Sequence, residues 1–218
     1  MRAAARKGPP YQSRRPYNQT MKKPVFTLVL MLAAPALFAQ NAGEVQKFFE
    51  AGQYQRVVEA AQPDGDPAVL YTAAQSHQKL GETDRALETY KMLAERAEGD
   101  AWHYIGLSGQ QLIEDRVDAA VESARRAVEI APNTAGAHYQ LGLVLAKRQE
   151  WPVAAAEFDK VTELSPSNAY AHYYGGLMHY RANRPDRMAI HFEQFLKLAP
   201  EAPERPEVMQ IMRTVRGR

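Results

Sequence analysis

Proline returns at a fixed interval in the second half of the chain, where Pro132, Pro166 and Pro200 lie 34 residues apart. A period of this length is typical of arrays in which each repeat is a pair of stacked helices. The interval divides most of the sequence into four windows: 67–100, 101–134, 135–168 and 169–202. The sequence therefore predicts an all-α fold of antiparallel helical hairpins.

Other residues recur in register with the prolines. Position 8 of each window is small: Ala74, Ser108, Gly142 and Gly176. Positions 20, 24 and 27 are apolar, and because offsets of three and four residues share a helix face, these positions form the inner seam of each hairpin. We expect side-chain caps of the second helices at position 18 and left-handed helix stops just before it. The caps are Asp84, Asp118 and Asp186, and the stops are Gly81 and Asn183.

The third window shows the fullest pattern, with these residues at positions 7, 8, 20, 24 and 32: Leu141, Gly142, Ala154, Phe158 and Pro166. The combination resembles the tetratricopeptide repeat (TPR) family. The resemblance implies a solenoid of helical hairpins that forms a right-handed superhelix. The first window departs from the family pattern at Glu98, which replaces proline, and the last at Gly175, which replaces leucine, and at Met188 and Phe195, which replace alanine.

Shorter segments flank the four windows. Residues 40–66 contain the turn Gly52-Gln53-Tyr54 and predict a degenerate N-terminal TPR unit. Residues 203–218 predict a capping helix that opens at Pro206-Glu207 and covers the apolar side of the last repeat.

The N-terminal region predicts export. Residues 21–39 combine a basic start, an apolar run and a small residue before Gln40, which is typical of a secretory signal peptide. An uncleaved membrane anchor is the alternative. Residues 1–20 are basic and proline-rich, and we interpret them as a disordered or over-extended start rather than as an arm for nucleic acid or a membrane surface.

Charge and cysteine content indicate a periplasmic or secreted protein. Removal of residues 1–39 takes away seven basic residues and no acidic one, which leaves 20 basic and 25 acidic residues and a formal net charge of −5. This balance gives no electrostatic footprint for nucleic acid. The absence of cysteine from the sequence excludes disulfides, thiol nucleophiles and a lipidated cysteine. We expect no stable membrane insertion after signal cleavage.

The histidines raise the question of a metal or catalytic site. His172 and His179 lie seven residues apart on one helix, and His138 lies one window before His172. Each occupies a position at which the TPR family packs a bulky residue, so we interpret them as packing residues. We predict no catalytic residue, no metal site and no cofactor, and the chain is not expected to be an enzyme. A metal-dependent or histidine-dependent hydrolase using His172 and His179 is the third-ranked alternative.

The resemblance also implies a partner-binding groove on the first helices of the hairpins. Carried over by window position, its residues are Tyr71, Gln75, Trp102, Ile105, Tyr139, Leu143, Tyr170, Tyr173, Tyr174, Leu177 and Tyr180. Large aromatic side chains with polar tips are enriched at binding hot spots. The opposing interpretation is that neighbouring repeats, the end helix or a second copy covers these side chains.

Together these observations predict a periplasmic adaptor or chaperone-like protein of envelope assembly that binds an apolar peptide or helix of a partner protein. The alternative is a self-assembling scaffold, a homo-oligomer that uses the same aromatic face as its interface.

Overall fold

The computed structural model describes residues 42–217, and over this range it contains eleven helices and no strand. The predicted signal peptide at 21–39 and residues 1–20 lie outside the described residues. The helices are α1 Ala42–Glu50, α2 Tyr54–Ala60, α3 Pro67–Lys79, α4 Thr83–Ala94, α5 Ala101–Ile113, α6 Val117–Ile130, α7 Ala135–Lys147, α8 Trp151–Leu164, α9 Ala169–Arg181, α10 Pro185–Leu198 and α11 Arg205–Arg216. Consecutive helices pack against each other, which confirms the predicted all-α array of hairpins.

The first helix of every window begins at the first residue of that window: Pro67, Ala101, Ala135 and Ala169. Three of these helices are capped from the preceding residue, because the side chains of Asp66, Asp100 and Asn168 accept hydrogen bonds from backbone N–H groups of the first turn at 2.8, 2.9 and 3.0 Å. Each such bond satisfies an amide that has no partner within its helix. In these three cases the residue before a window therefore caps the first helix of that window.

The prediction that Asp84, Asp118 and Asp186 cap the second helices is wrong. Those helices begin one residue earlier, so each aspartate lies in the first turn. The residues at the N-cap positions make no capping hydrogen bond with their side chains. The three carboxylates act instead as negative charges close to the positive end of the helix dipole.

A left-handed residue ends the first helix of each full window. These residues are Gly81, Asp115, Gln149 and Asn183, with φ of 76°, 57°, 64° and 57°. The prediction for Gly81 and Asn183 is confirmed. Since the four residues share window position 15, all four hairpins turn in the same way.

The hairpin seams are tightly packed because a small residue faces an aromatic ring. A Cβ atom added to Gly142 would lie 2.9 Å from Phe158 Cε2, and one added to Gly176 would overlap the ring of Phe192. Phe158 and Phe192 are fully buried. In the third and fourth windows, glycine at position 8 therefore makes room for the aromatic ring at position 24.

The two ends of the array are in contact. Glu50 Oε1, at the end of α1, accepts a hydrogen bond of 2.9 Å from the backbone N–H of Ala169, the first residue of α9. The rings of Phe49 and Tyr170 lie 4.9 Å apart, centroid to centroid. In addition, Pro203 lies so close to Gly52 that an added Cβ atom would be 3.0 Å from its ring. We call this set of contacts between the first hairpin and the segment 169–203 the closure contact.

A second polar group joins the first full repeat to the C-terminal segment. Glu204 accepts a hydrogen bond of 2.6 Å from Tyr170 Oη and pairs with Lys79 Nζ at 2.7 Å. The side chain of Glu204 is 11% exposed. The array is thus closed by a buried contact on α1 and a half-buried ion pair on α3.

Candidate functional site

Closure of the array turns the predicted aromatic face into an interior. Tyr139 contacts the rings of Tyr71, Phe158 and Tyr174 at centroid distances of 6.3, 5.5 and 5.9 Å. Tyr170 extends the cluster to Phe49 on α1. Edge-to-face and tilted arrangements dominate these contacts, as expected for aromatic rings with a negative face and a positive edge.

Five of the eleven predicted groove residues are buried in this interior: Tyr71, Ile105, Tyr139, Tyr170 and Tyr173. The other six are partly exposed: Gln75, Trp102, Leu143, Tyr174, Leu177 and Tyr180. Ile105 and Tyr170 have no exposed surface, so a partner cannot touch them in this conformation. Phe49 on α1 covers Tyr170, and Glu207 on α11 accepts a hydrogen bond from Tyr173. Tyr71 and Tyr139 pack instead against each other and against aromatic rings of neighbouring first helices. Contact of the remaining residues with a partner stays a prediction.

A cavity with a volume of about 250 Å³ lies beside this aromatic cluster. Four helices, α1, α3, α5 and α7, contribute lining residues, and Asn168, the residue before α9, adds another. The lining residues are Gln46, Phe49, Ala68, Tyr71, Thr72, Gln75, Trp102, Thr134, Ala135, Gly136, Tyr139 and Asn168. The structure brings Tyr71, Gln75, Trp102 and Tyr139 together here, whereas the other predicted groove residues do not line this cavity. We call it the axial cavity.

The walls of the axial cavity are aromatic and its rim is polar but uncharged. Phe49, Tyr71, Trp102 and Tyr139 supply ring surface, while amides and hydroxyls supply donors and acceptors. The lining contains no Asp, Glu, Lys, Arg or His side chain. Burial also raises the pKa of Tyr71 and of Tyr139 well above the ordinary value, so both phenols stay neutral. The cavity is suited to an uncharged ligand group.

A buried hydrogen-bond chain fixes the wall behind the cavity. Tyr71 Oη donates to Gln140 Oε1 at 2.9 Å, and Gln140 Nε2 donates to Ser108 Oγ at 3.0 Å. Ser108 Oγ in turn donates to the carbonyl oxygen of Ala120 at 2.9 Å. Because the chain crosses three repeats and leaves none of these polar groups unpaired, it holds the Tyr71 ring in one orientation.

A second group of functional side chains lies away from the cavity, where α8, α9 and α10 meet. Asp159 Oδ1 lies 3.0 Å from His179 Nε2 and 2.8 Å from His191 Nε2. The ligand atoms of these three side chains lie within 4.8 Å of one another, a spacing that a metal ion can bridge. Burial raises the pKa of Asp159, but hydrogen bonds from the two imidazoles outweigh it and hold that pKa well below the ordinary value.

The sequence interpretation missed this group in part. The burial of His172 and His179 agrees with their interpretation as packing residues. Neither Asp159 nor His191, however, stands out in the sequence as a functional residue. The repeat register contains a sign of this group. The residues that precede Asp159 by one and two repeats are Arg125 and Lys91. The residue at this position thus changes from basic in the first two windows to acidic in the third and fourth, where it is Asp159 and Glu193.

The other paired histidines are simpler. His138 Nδ1 lies 2.7 Å from Glu157 Oε2, and its Nε2 lies 2.8 Å from the carbonyl oxygen of Pro132, so both ring nitrogens have partners. His77 pairs with Glu82 at 2.7 Å. Each links a first helix to a neighbouring segment, which is a structural role.

No helix within the described range is both long and apolar enough to cross a lipid bilayer.

Family models and solved structures were found that are similar to this chain. Two tetratricopeptide repeat models match the chain, one at residues 139–203 and one at residues 68–98. No curated protein gives a significant sequence match.

Solved structures share the fold. A thermophilic TPR protein of Thermus thermophilus is 22% identical, with a TM-score of 0.58, over 80% of this chain and 98% of that chain. The first TPR domain of Spaghetti, in a structure bound to an HSP90 peptide, is 14% identical, with a TM-score of 0.51, over 55% of this chain and 95% of that domain. The 34-residue register, the hairpin stack and these matches lead to one conclusion: the chain belongs to the tetratricopeptide repeat family.

Proposed function

We propose that this protein binds another protein by taking an uncharged side chain of that partner into the axial cavity. The observation on which the proposal rests is the cavity itself, an open space walled by four aromatic residues. Pockets for drug-sized ligands typically measure about 300–1,000 Å³. A cavity of about 250 Å³ is therefore matched to one or two side chains rather than to a whole helix.

The chemistry of the lining specifies the anchor. Aromatic walls favour a large apolar or aromatic side chain, which gains the free energy of transfer out of water. The amides of Gln46, Gln75 and Asn168 at the rim can pair with the peptide backbone on either side of that anchor. A charged anchor would lose its hydration without finding a counter-ion, and this disfavours acidic tails.

A related fold gives indirect support for a peptide ligand. The TPR domain of Spaghetti was solved with an HSP90 peptide bound. That likeness concerns the fold, and the anchor proposed for this chain rests on its own cavity.

We further propose that the protein is exported and acts as an adaptor or chaperone-like factor in envelope assembly. This rests on the sequence of residues 21–39. N-terminal sequencing of the native protein tests it. We expect Gln40 as the first residue, and retention of residues 21–39 would contradict export with cleavage.

The competing functions have less support. A scaffold that assembles through the aromatic face would need Tyr139 and Tyr173 at a surface, but these side chains are only 5% and 7% exposed because the chain covers them itself. A hydrolase would need accessible imidazoles, whereas His172 and His179 are buried.

The anchor proposal is tested by site-specific photo-crosslinking in cells. A photoreactive residue at Gln75, on the cavity rim, is expected to capture a partner protein, while the same residue at Val153, exposed on α8, is not. Ala68→Trp fills the cavity and should abolish capture from Gln75. Ala156→Trp, an exposed alanine on α8, is the matched control and should leave capture unchanged.

Two results would refute the anchor. Equal capture from Gln75 and Val153 would show that contact is not specific to the cavity. Unchanged capture in folded Ala68→Trp would show that the partner does not enter it. Circular dichroism of both tryptophan variants separates loss of binding from loss of folding.

A further inference from the structure

Three donor side chains from three helices converge at the junction of the third and fourth repeats. Asp159 lies on α8, His179 near the end of α9 and His191 on α10. His179 is 1% exposed and His191 is 5% exposed. The Asp159 side chain is 28% exposed, so its carboxylate joins the buried imidazoles to solvent. We refer to these three residues as the junction cluster.

The repeat itself does not require this cluster. Residues at the same positions one repeat earlier are Arg125, Leu145 and Glu157, and two repeats earlier they are Lys91, Gln111 and Ser123. Gln111 and Ser123 form an ordinary hydrogen bond of 2.8 Å. Gln111 and His179 share window position 11, and Ser123 and His191 share position 23, so a contact between these positions belongs to the hairpin itself. Of the three junctions between full repeats, only the last combines two imidazoles with a carboxylate.

The fourth repeat also makes room for one of the imidazoles. Gly175 stands at position 7, which holds Leu141 in the preceding repeat. A Cβ atom on Gly175 would lie 2.8 Å from His191 Nδ1. Any larger residue would displace the ring, so Gly175 and His191 form a matched pair.

The hydrogen bonding of the cluster is incomplete. His179 Nδ1 and His191 Nδ1 are buried without a hydrogen-bond partner, and so is Nδ1 of His172, whose ring lies 5.4 Å from that of His191. His138, by contrast, satisfies both of its nitrogens. His103 Nδ1, outside the cluster, is also buried and unpaired, so the unpaired Nδ1 atoms do not by themselves mark a metal site, and the proposal rests on the convergence of the three ligand atoms.

From this geometry we propose that the junction cluster binds a divalent transition-metal ion, with Zn²⁺ as the best match. Asp159 Oδ1, His179 Nε2 and His191 Nε2 supply one oxygen and two nitrogen ligands, and water from the Asp159 side supplies the fourth. Imidazole and carboxylate ligands suit Zn²⁺. The site is distinct from the axial cavity, since the cluster shares no residue with its lining.

The distances agree with zinc after an adjustment of the side chains. Zinc bonds of about 2.0–2.1 Å at tetrahedral angles place neighbouring donors about 3.3 Å apart. The nitrogens of His179 and His191 now lie 3.0 and 2.8 Å from Asp159 Oδ1, so each must move away from that oxygen by a few tenths of an ångström. The two nitrogens lie within 4.8 Å of each other and must approach by up to about 1.5 Å. The ion takes the place of the proton between each Nε2 atom and the carboxylate. A neutral imidazole keeps its proton by shifting it to Nδ1, and an imidazolium releases one proton to solvent, so binding weakens as the pH falls.

Titration of tag-free protein, stripped of metal with a chelator, tests the proposal. Isothermal calorimetry with Zn²⁺ is expected to show one equivalent bound, and a saturating excess is expected to raise the thermal midpoint by about 5 °C. Asp159→Asn keeps an oxygen that accepts both hydrogen bonds but removes the charge. His191→Gln keeps a donor to Asp159. Each variant should lose at least about 100-fold in affinity, since even outer-shell changes cost 10–100-fold.

His77→Gln is the control. It removes a buried histidine that pairs with the Glu82 carboxylate, in a repeat that does not contribute to the junction cluster. It should bind Zn²⁺ like the wild type. A visible absorption spectrum with Co²⁺ and imidazole ¹⁵N shifts report coordination directly, and we expect Nε2 of both histidines as ligand.

The proposal is overturned by any of three results. These are no stoichiometric binding to the folded wild type, equal binding to wild type and folded Asp159→Asn, or ¹⁵N shifts that leave His179 and His191 unchanged. Crosslinking from Gln75 is a separate measurement, so failure of the metal site and failure of the anchor can be told apart.

Discussion

Replacement of Glu50 tests whether the closure contact holds the array shut. Glu50 Oε1 is the hydrogen-bond partner of the Ala169 N–H, which lies in the first turn of α9 and has no partner within that helix. Ala169 is fully buried. Glu50→Ala therefore leaves a buried amide unpaired. A hydrogen bond to a charged group contributes about 1.5–3 kcal/mol, and we expect a loss of about 2 kcal/mol in the free energy of opening.

Hydrogen exchange of the Ala169 amide, followed by NMR, measures this loss at the site. Since 1.4 kcal/mol corresponds to a factor of ten, Glu50→Ala should accelerate exchange about 30-fold. Glu50→Gln retains an acceptor oxygen and should keep most of the protection. Glu88→Ala, at an exposed position on α4, should change nothing. Unaltered exchange in Glu50→Ala would refute the closure contact as the source of protection.

Glu50 should also make the free energy of unfolding depend on pH. Burial raises the pKa of Glu50 above its ordinary 4.5, and it outweighs the hydrogen bonds from Ala169 and Gln46 and the attraction of Lys47. Because the folded pKa exceeds the unfolded one, ionisation costs the folded state free energy. The part of the stability that depends on protonation of Glu50 is present below pH 4.5 and is lost as the pH rises through the folded pKa, while the carboxyl oxygen still accepts the hydrogen bond from Ala169. Urea unfolding should show wild type losing stability relative to Glu50→Gln over that range, and a constant difference would contradict the sign.

Two further substitutions probe the packing and the second closure group. Gly176→Ala should lower the free energy of unfolding by about 2 kcal/mol, because the new methyl group overlaps the buried Phe192 ring; Gly99→Ala, with no atom within 4 Å of the new Cβ, should be neutral in the same urea titration. Tyr170→Phe removes the donor to Glu204 and should cost about 1.5 kcal/mol by urea unfolding, and no loss would mean that Lys79 alone satisfies that carboxylate.

The repeat register could be predicted because it depends on local chemistry. Helix starts follow from turns and caps within a few residues, so the 34-residue interval placed the first helices at Pro67, Ala101, Ala135 and Ala169. The tight fit at Gly142 and Phe158 was also readable, since small and large residues recur jointly. The caps at position 18 were wrong because a carboxylate one residue inside a helix looks, in sequence, like one at its boundary.

The closure contact could not be predicted in this way. Glu50 and Ala169 are 119 residues apart, and whether they meet depends on small rotations summed over every intervening hairpin. No local pattern records that sum. The predicted groove assumed an open array, and the aromatic side chains were consequently placed at a surface that the chain itself fills.

Closure also changes how the array should lose its structure. In an open solenoid each repeat contacts only its neighbours, and the terminal repeats, which have one neighbour each, fray first. Here the first hairpin is a neighbour of α9, so it cannot detach without breaking contacts to the fourth repeat. Unfolding that starts at the first hairpin must therefore break a contact of long sequence separation at the outset. Loss of α1 and α2 should then loosen the repeat that is farthest from them in the sequence as readily as the one that follows them.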